Sequence, residues 1–104
     1  MGWEDIYKQK LVSIKDAVKV VRSGDFVCTA GGPCAAYDLM VELAGRYEEL
    51  ENVTMSSALM MRPLPHLEAK YQGHIGHLAL FLGPLERIFM AQGNIKVNSC
   101  SFEF

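Results

Sequence analysis

Two stretches of the sequence share one order of features: an apolar strand, a glycine–proline turn, an amphipathic helix and a second apolar strand. The first stretch has its turn at Gly31-Gly32-Pro33 and the second at Gly83-Pro84. The apolar runs predicted as strands are 26–30, 53–59, 77–82 and 95–97. A helix that joins two strands lets them lie parallel in one sheet. This order therefore predicts an α/β fold, a mostly parallel sheet with flanking helices.

Three helices are predicted from capping signals and apolar spacing. The S-x-x-D arrangement of Ser13 and Asp16 marks a helix start, and Gly24 suits the end of that helix. Apolar residues recur at helical spacing over 36–47, which indicates an amphipathic helix. Pro84 suits the first position of a third, short helix. Because the strands are apolar along nearly their whole length, we expect helices to cover both faces of the sheet.

The length and the charge balance limit what the chain can be. It has 104 residues, a size that fits one domain over 1–104. Its 10 Lys+Arg against 12 Asp+Glu give a net charge of −2, without the basic cluster that nucleic-acid binding requires. No apolar run approaches the roughly 18 residues of a membrane span, and the opening MGWEDIYKQK lacks the apolar core of a signal peptide. We therefore expect a cytoplasmic protein that binds neither nucleic acid nor a membrane.

The cysteines point to a reducing compartment. Cys28, Cys34 and Cys100 form no CxxC motif and no Cys/His metal spacing. Without a secretion signal, a disulfide framework is not expected. Free cysteines are usually small buried side chains, so we expect two buried cysteines and one in a loop.

The turn at 31–33 is the best candidate for a binding site. At the carboxyl end of a parallel strand, the backbone N–H groups of a glycine turn can approach a ligand, and the following helix favours an anion. The turn lacks both G-x-G-x-x-G and the Lys-Ser/Thr of a phosphate loop, so the two glycines can equally serve the turn alone. Cys34 lies at the same helix start, but no histidine is near it in sequence to act as a base.

The histidines are the candidate metal ligands of the sequence. His74 and His77 are spaced H-x-x-H with glycines around them, and His66 lies upstream. This spacing does not form a helical ligand pair, and no acidic cluster completes the set. We expect ordinary hydrogen-bonding roles for the three side chains and no bound metal.

Several segments, taken in order, resemble the N-terminal domain of the acetyl-CoA hydrolase/transferase family. That family includes 4-hydroxybutyrate and butyryl-CoA:acetate CoA-transferases. Trp3 and the YKQKLV segment at 7–12 are similar to the start of the family's sequences. The stretch GHIGHLALFLG at 73–83 is similar to the family's GHFRHNSLFVG, with Gly76 and Leu78 in place of its Arg and Asn. The similarity extends over essentially all 104 residues.

The resemblance implies the N-terminal part of a two-domain enzyme with a CoA-transferase-like fold. Family members are several times longer, and the glutamate that forms their glutamyl-CoA thioester belongs to a C-terminal domain that is expected to be absent here. We therefore assign no catalytic residue and expect no cofactor on this domain alone, with coenzyme A as a substrate of the complete enzyme. We assign the pocket for the acyl group and a small carboxylate to Gly31, Gly32, Pro33 and His77, and expect a homo-oligomer.

Three functions stay open at this point. The first is the N-terminal domain of an acyl-CoA:carboxylate CoA-transferase or an acetyl-CoA hydrolase, inactive without its second domain. The second is a non-catalytic, stand-alone α/β domain that binds a partner. The third is a small independent enzyme that uses Cys34 or a histidine.

Overall fold

The computed structural model describes residues 2–98 and contains one parallel sheet. Its strands are β1 Phe26–Cys28, β2 Val53–Ser57, β3 Ile75–Ala79 and β4 Ile95–Val97. They lie side by side in chain order, and every neighbouring pair is parallel. Met55 of β2 lies opposite both Val27 of β1 and His77 of β3. The predicted α/β fold with a parallel sheet is confirmed.

Four α-helices accompany the sheet. They are α1 Trp3–Lys10, α2 Ile14–Ala17, α3 Tyr37–Ala44 and α4 Pro84–Phe89. The Ser13 hydroxyl accepts a hydrogen bond from the Asp16 N–H at 3.2 Å, as the capping-box pattern predicts. Pro84 is the first residue of α4. A short 3-10 turn, Met90–Gln92, follows this helix and ends at Gly93, which has a left-handed conformation with φ at +81°. The helix start predicted at Pro84 is therefore confirmed.

Two elements differ from the predictions. β3 spans 75–79 instead of 77–82, because Gly76 interrupts the apolar run that the prediction relied on, while the apolar residues after the strand lie in a loop that leaves Phe81 half exposed. The helix α1 was not predicted at all. No residue of α1 is buried, so no core-facing pattern marks it.

One face of the sheet carries the hydrophobic core. Side chains alternate along a strand, and Val53, Met55, Ile75, Ala79 and Ile95 all point to this covered face. The helix α3 packs on it, and so do the loop after β2 and the apolar side of α4. The residues they add are Met40, Leu43, Met60, Leu64 and Leu67, with Leu85 and Phe89 at the margin.

The opposite face, which we call the open face, consists of seven residues. They are Phe26, Cys28, Thr54, Ser56, Gly76, Leu78 and Lys96. Within residues 2–98, the expectation that helices cover both faces is not met. Crossovers between parallel strands are right-handed, and strands that follow one another in a single direction place every crossover on the same side. Covering both faces would require the strand order to reverse, and over residues 2–98 it does not.

Cys28 and Cys34 are both free and exposed. Since two of the three cysteines are exposed, at most one can be buried, and the expectation of two buried cysteines is wrong. Cys28 is exposed because it points to the open face. The third cysteine, Cys100, and the apolar end at 102–104 lie outside the described residues. No helix within the described range is long and apolar enough to cross a membrane.

Candidate functional site

Three segments meet at the carboxyl edge of the sheet: the loops after β1 and β2 and the helix α4 after β3. The Gly32 N–H, after β1, donates a hydrogen bond to the Leu59 carbonyl, after β2, at 2.6 Å. The Met60 N–H, also after β2, donates to Oε1 of Glu86, after β3, at 2.8 Å. Ligands of open α/β sheets bind outside the carboxyl ends of the strands, so this edge is the candidate site.

The two glycines of the turn are both needed by its geometry. Gly32 is buried and has φ at +59°, a left-handed conformation that glycine adopts without strain. A Cβ on Gly31 would lie 2.9 Å from the Cβ of Ala58, closer than two such atoms approach. Because the Gly32 N–H is already bonded to Leu59, that donor holds the turn in place. A ligand at this turn would meet Gly31, Pro33 and the exposed Cys34 first.

Tyr37, at the start of α3, joins the turn to the segment after β2. Its hydroxyl donates to the Gly32 carbonyl at 2.7 Å and accepts from the Met61 N–H at 2.7 Å. One side chain therefore fixes the distance between two of the three segments. The sequence analysis did not single out Tyr37, because it lies within the predicted helix over 36–47 and Met61 is 24 positions away.

Arg62 is a site residue that the sequence analysis missed. Its guanidinium lies over the Tyr37 ring, 4.7 Å from the ring centre, and donates to Asp38 at 3.0 Å. It borders a hollow of about 410 Å³ that Ala36 and Met61 also line. A guanidinium has five N–H donors in a planar fork that matches a carboxylate, so most of them stay available here. The RPLP sequence at 62–65 does indicate an extended loop at this arginine, since a residue that precedes a proline avoids helical geometry.

Glu86 lies completely buried beside this edge. Its Oε2 has no hydrogen-bond partner among the described residues, and a Cβ on Gly83 would come within 2.8 Å of it. The Met60 N–H therefore depends on a carboxylate that is shut off from water. Sequence reasoning placed Glu86 in a short amphipathic helix and gave no sign that it faces inward.

His77 lies in the middle of β3 on the covered face, and its ring contacts His66. The two rings are joined by a 3.0 Å contact between Nε2 of His66 and Nδ1 of His77, and both are buried. Burial lowers the pKa of His77 to about 4. Burial, with a smaller effect of His77, lowers the pKa of His66 to about 3. Both side chains are therefore neutral at neutral pH.

The remaining candidates have no catalytic arrangement around them. His74 is bonded through Nδ1 to the Leu50 carbonyl at 2.8 Å, and the other two histidines contact each other. The structure thus gives the Cys34 thiol no histidine base. Among residues 2–98, no group of three or more His, Cys, Asp or Glu side chains could hold a metal ion.

Two curated enzymes are similar to this chain in sequence. The 4-hydroxybutyrate coenzyme A transferase of Clostridium kluyveri is 30% identical over 105 residues, which is 98% of this chain and 24% of that enzyme. The butyryl-CoA:acetate CoA-transferase of Anaerostipes caccae is 31% identical over 96 residues, 89% of this chain and 21% of that enzyme. The chain therefore spans about a quarter of the length of these relatives, and the predicted resemblance to CoA-transferases is confirmed. No family model matches the sequence.

Solved structures share the fold. RipA from Yersinia pestis superposes with a TM-score of 0.87 at 17% identity, over 98% of this chain and 26% of its own. A point mutant of RipA gives a TM-score of 0.83 at 16% identity with the same coverage. At this identity the likeness describes the fold alone.

Proposed function

We propose that this chain is a domain of an acyl-CoA:carboxylate CoA-transferase and that its carboxyl edge forms part of the pocket for the acyl group and the small carboxylate. The observation that carries the proposal is the similarity to two CoA-transferases over nearly the whole chain. Both relatives carry the name of the same reaction class, with different acyl groups. Coenzyme A is then a substrate, supplied with its acyl group to the complete enzyme.

The pocket is proposed at Gly31, Gly32 and Pro33, with Arg62 at its mouth. A carboxylate bound in the hollow beside Tyr37 can accept paired hydrogen bonds from the Arg62 guanidinium. Arg62 exchanges a weak, solvent-exposed contact with Asp38 for this ligand, because exposed ion pairs contribute about 0–1 kcal/mol. His77 is buried in the middle of β3 against His66, so we assign it no contact with the substrate.

The reaction requires a second polypeptide unit in this proposal. The resemblance implies a glutamate carboxylate that attacks the acyl-CoA thioester carbonyl, forming an anhydride and releasing the CoA thiolate. The thiolate then attacks the glutamyl carbonyl of the anhydride, which expels the original acyl group as a free carboxylate and leaves an enzyme-bound glutamyl-CoA thioester. We assign that glutamate to no residue of this chain. Here the ordered backbone of the turn and Arg62 would orient the acyl carboxylate, since preorganised donors stabilise developing negative charge. Transfer and hydrolysis then differ in what attacks the glutamyl-CoA thioester: a second carboxylate forms a new anhydride and takes over the CoA, whereas water restores the glutamate and releases free CoA.

Carboxylate binding to the chain tests the proposed pocket, and acetyl-CoA turnover by the chain tests the need for a second unit. We expect acetate and butyrate to shift the backbone amide NMR signals of Gly31, Cys34 and Arg62, and the chain alone to leave acetyl-CoA unchanged. Arg62→Gln should abolish those shifts, whereas Arg22→Gln, at an exposed arginine in the loop before β1, should not. Carboxylate-induced shifts confined to other parts of the chain contradict the pocket. Acetyl-CoA turnover by the chain alone contradicts the need for a second unit.

A further inference from the structure

One peptide group at the carboxyl edge, between Leu59 and Met60, is held from both of its sides. Its carbonyl accepts a hydrogen bond from the Gly32 N–H at 2.6 Å, and its N–H donates to Oε1 of Glu86 at 2.8 Å. The carbonyl and the N–H of a trans peptide point in opposite directions, so the two bonds together fix the orientation of its plane. We infer that Glu86 is a positioning residue, which sets the backbone that carries Arg62 into the proposed pocket. The inference rests on the proposed function and deepens it.

A closed ring of hydrogen bonds joins this peptide to the start of α3. The Gly32 carbonyl accepts from the Tyr37 hydroxyl at 2.7 Å, and the same hydroxyl accepts from the Met61 N–H at 2.7 Å. The glycine turn and residues 59–61 are therefore connected twice, once directly and once through Tyr37. Two connections of this kind prevent one segment from rotating against the other. The carboxylate of Glu86 attaches the ring to α4, the third segment of the edge.

Arg62 follows directly after this ring. The N–H groups of the two residues before it are both bonded, one to Glu86 and one to the Tyr37 hydroxyl. The Arg62 guanidinium lies 4.7 Å from the centre of the Tyr37 ring, while its side chain is half-exposed. Its exposed contact with Asp38 is weak, so the backbone decides where the guanidinium lies. Paired hydrogen bonds to a carboxylate need two N–H groups of the guanidinium in line, and a rotated backbone at 60–61 would lose at least one of them.

Gly83 provides the space that the buried carboxylate occupies. A Cβ there would lie 2.8 Å from Oε2 of Glu86 and 2.5 Å from Cδ1 of Leu59, whereas its φ of −78° suits any residue. Glycine is therefore needed here for room and not for backbone conformation. Burying a carboxylate costs far more than burying an apolar side chain of the same size, and Oε2 has no partner within residues 2–98. Packing alone therefore does not account for a glutamate here, whereas the bond from Met60 does.

A positioning role has a signature at Gly32, which is one peptide group away from Glu86. Hydrogen bonds in a chain polarise one another, so loss of the acceptor at Glu86 weakens the next bond, from the Gly32 N–H to the Leu59 carbonyl. A side chain that only filled space would leave that bond unchanged once its volume was replaced. Amide hydrogen exchange at Gly32 and Met61 therefore separates the two roles.

Three variants measure this role by NMR, with acetate and butyrate as the ligands. Glu86→Met removes the acceptor at similar volume, Glu86→Gln keeps an acceptor oxygen, and Gly83→Ala displaces the carboxylate while leaving it in the chain. Glu86→Met and Gly83→Ala should each speed exchange at Gly32 and Met61, relative to the amides of β2, about ten-fold or more. Both should weaken carboxylate binding by a similar factor. Glu86→Gln should stay close to the wild type in both measurements.

A matched control is Ile75→Val, which shortens a buried side chain of β3 at the opposite end of the strand from this edge. It should lower the urea midpoint and leave both relative exchange and carboxylate binding unchanged. A wild-type chain that binds neither acetate nor butyrate overturns the proposed pocket, and this role of Glu86 with it. Where the wild type binds, three results overturn the inference alone: Glu86→Met that binds equally well, Glu86→Gln that binds as weakly as Glu86→Met, or exchange at Gly32 that is the same in all of them.

Discussion

Nε2 of His66 lies 3.0 Å from Nδ1 of His77, so two imidazoles share one hydrogen bond inside the core. The contact joins the loop after β2 to the middle of β3. The Asn94 amide adds to it by donating to the His66 and Ile75 carbonyls. The pair is a structural link that cannot carry an extra proton on both rings, since two positive charges would then lie side by side without water.

This pair should make the fold sensitive to acid. In the unfolded chain both histidines take up a proton near pH 6.5, whereas burial keeps the pKa of His77 at about 4 and that of His66 at about 3. The unfolded state therefore binds more protons below pH 6.5. The free energy of unfolding should fall as the pH drops, by up to about 1.4 kcal/mol per pH unit for each histidine. Urea unfolding at several pH values measures this slope.

A double variant supplies the control for the acid sensitivity. His66→Leu with His77→Met removes both titrating groups and fills most of their volume. The variant should unfold with a flatter dependence on pH in the same range. An unchanged slope would assign the acid sensitivity to other groups.

Replacement of Glu86 should show whether its carboxylate or its shape is needed. Glu86→Ala leaves the buried Met60 N–H without an acceptor and opens a cavity, so we expect a loss of about 2–3 kcal/mol in unfolding free energy. Glu86→Gln keeps an acceptor oxygen and should cost less. Glu48→Ala, at an exposed residue of the Tyr47–Glu49 turn, should change stability by less than about 0.5 kcal/mol. Equal losses for alanine and glutamine would contradict the acceptor role.

The left-handed backbone at Gly32 should make this position sensitive to any Cβ. Gly32→Ala should cost about 1–2 kcal/mol, although no atom lies within 4 Å of the added carbon. The cost comes from backbone strain, so Gly32→Asn should be milder because asparagine tolerates positive φ better. Thermal unfolding of the two variants ranks them. Equal effects of alanine and asparagine would show that strain is not the cause.

The hydroxyl of Tyr37 should hold the turn against the segment after β2. Tyr37→Phe removes both of its hydrogen bonds and should cost about 1 kcal/mol. It should also speed hydrogen exchange at the Met61 amide. Tyr47→Phe removes an exposed contact to Glu48 at 3.3 Å and should leave both measurements unchanged. An unaltered Met61 exchange rate in Tyr37→Phe would contradict the bridging role.

The alternation of strands and helices was predictable because its signals are local. Short apolar runs and the Gly-Pro turns lie next to each other in the sequence, and the capping pair at Ser13 and Asp16 is three residues apart. The start of β3 was predicted at 77 and lies at 75, because Gly76 has no side chain and interrupts the apolar run. A strand can still form there, since its backbone pairs with β2 and β4 regardless of the side chain.

The candidate site depends on contacts between residues far apart in the chain. Tyr37 reaches Met61, and Glu86 reaches Met60 across 26 positions, so no local pattern reveals either contact. The open face is likewise a property of strand order, which periodicity does not encode. Its two β3 residues, Gly76 and Leu78, are the positions where this sequence replaces the Arg and Asn of the family pattern, so the loss of those two polar side chains lies away from the proposed pocket.

The hydrogen bonds from Gly32 to Leu59 and from Met60 to Glu86 have a further consequence for binding. They hold the three carboxyl-edge segments in one arrangement before any ligand arrives. A ligand therefore does not have to order a mobile loop, and association loses correspondingly less conformational entropy. In the proposed pocket, selectivity would then follow from the fixed outline of the hollow beside Tyr37, and acyl groups of different length should differ in affinity through fit.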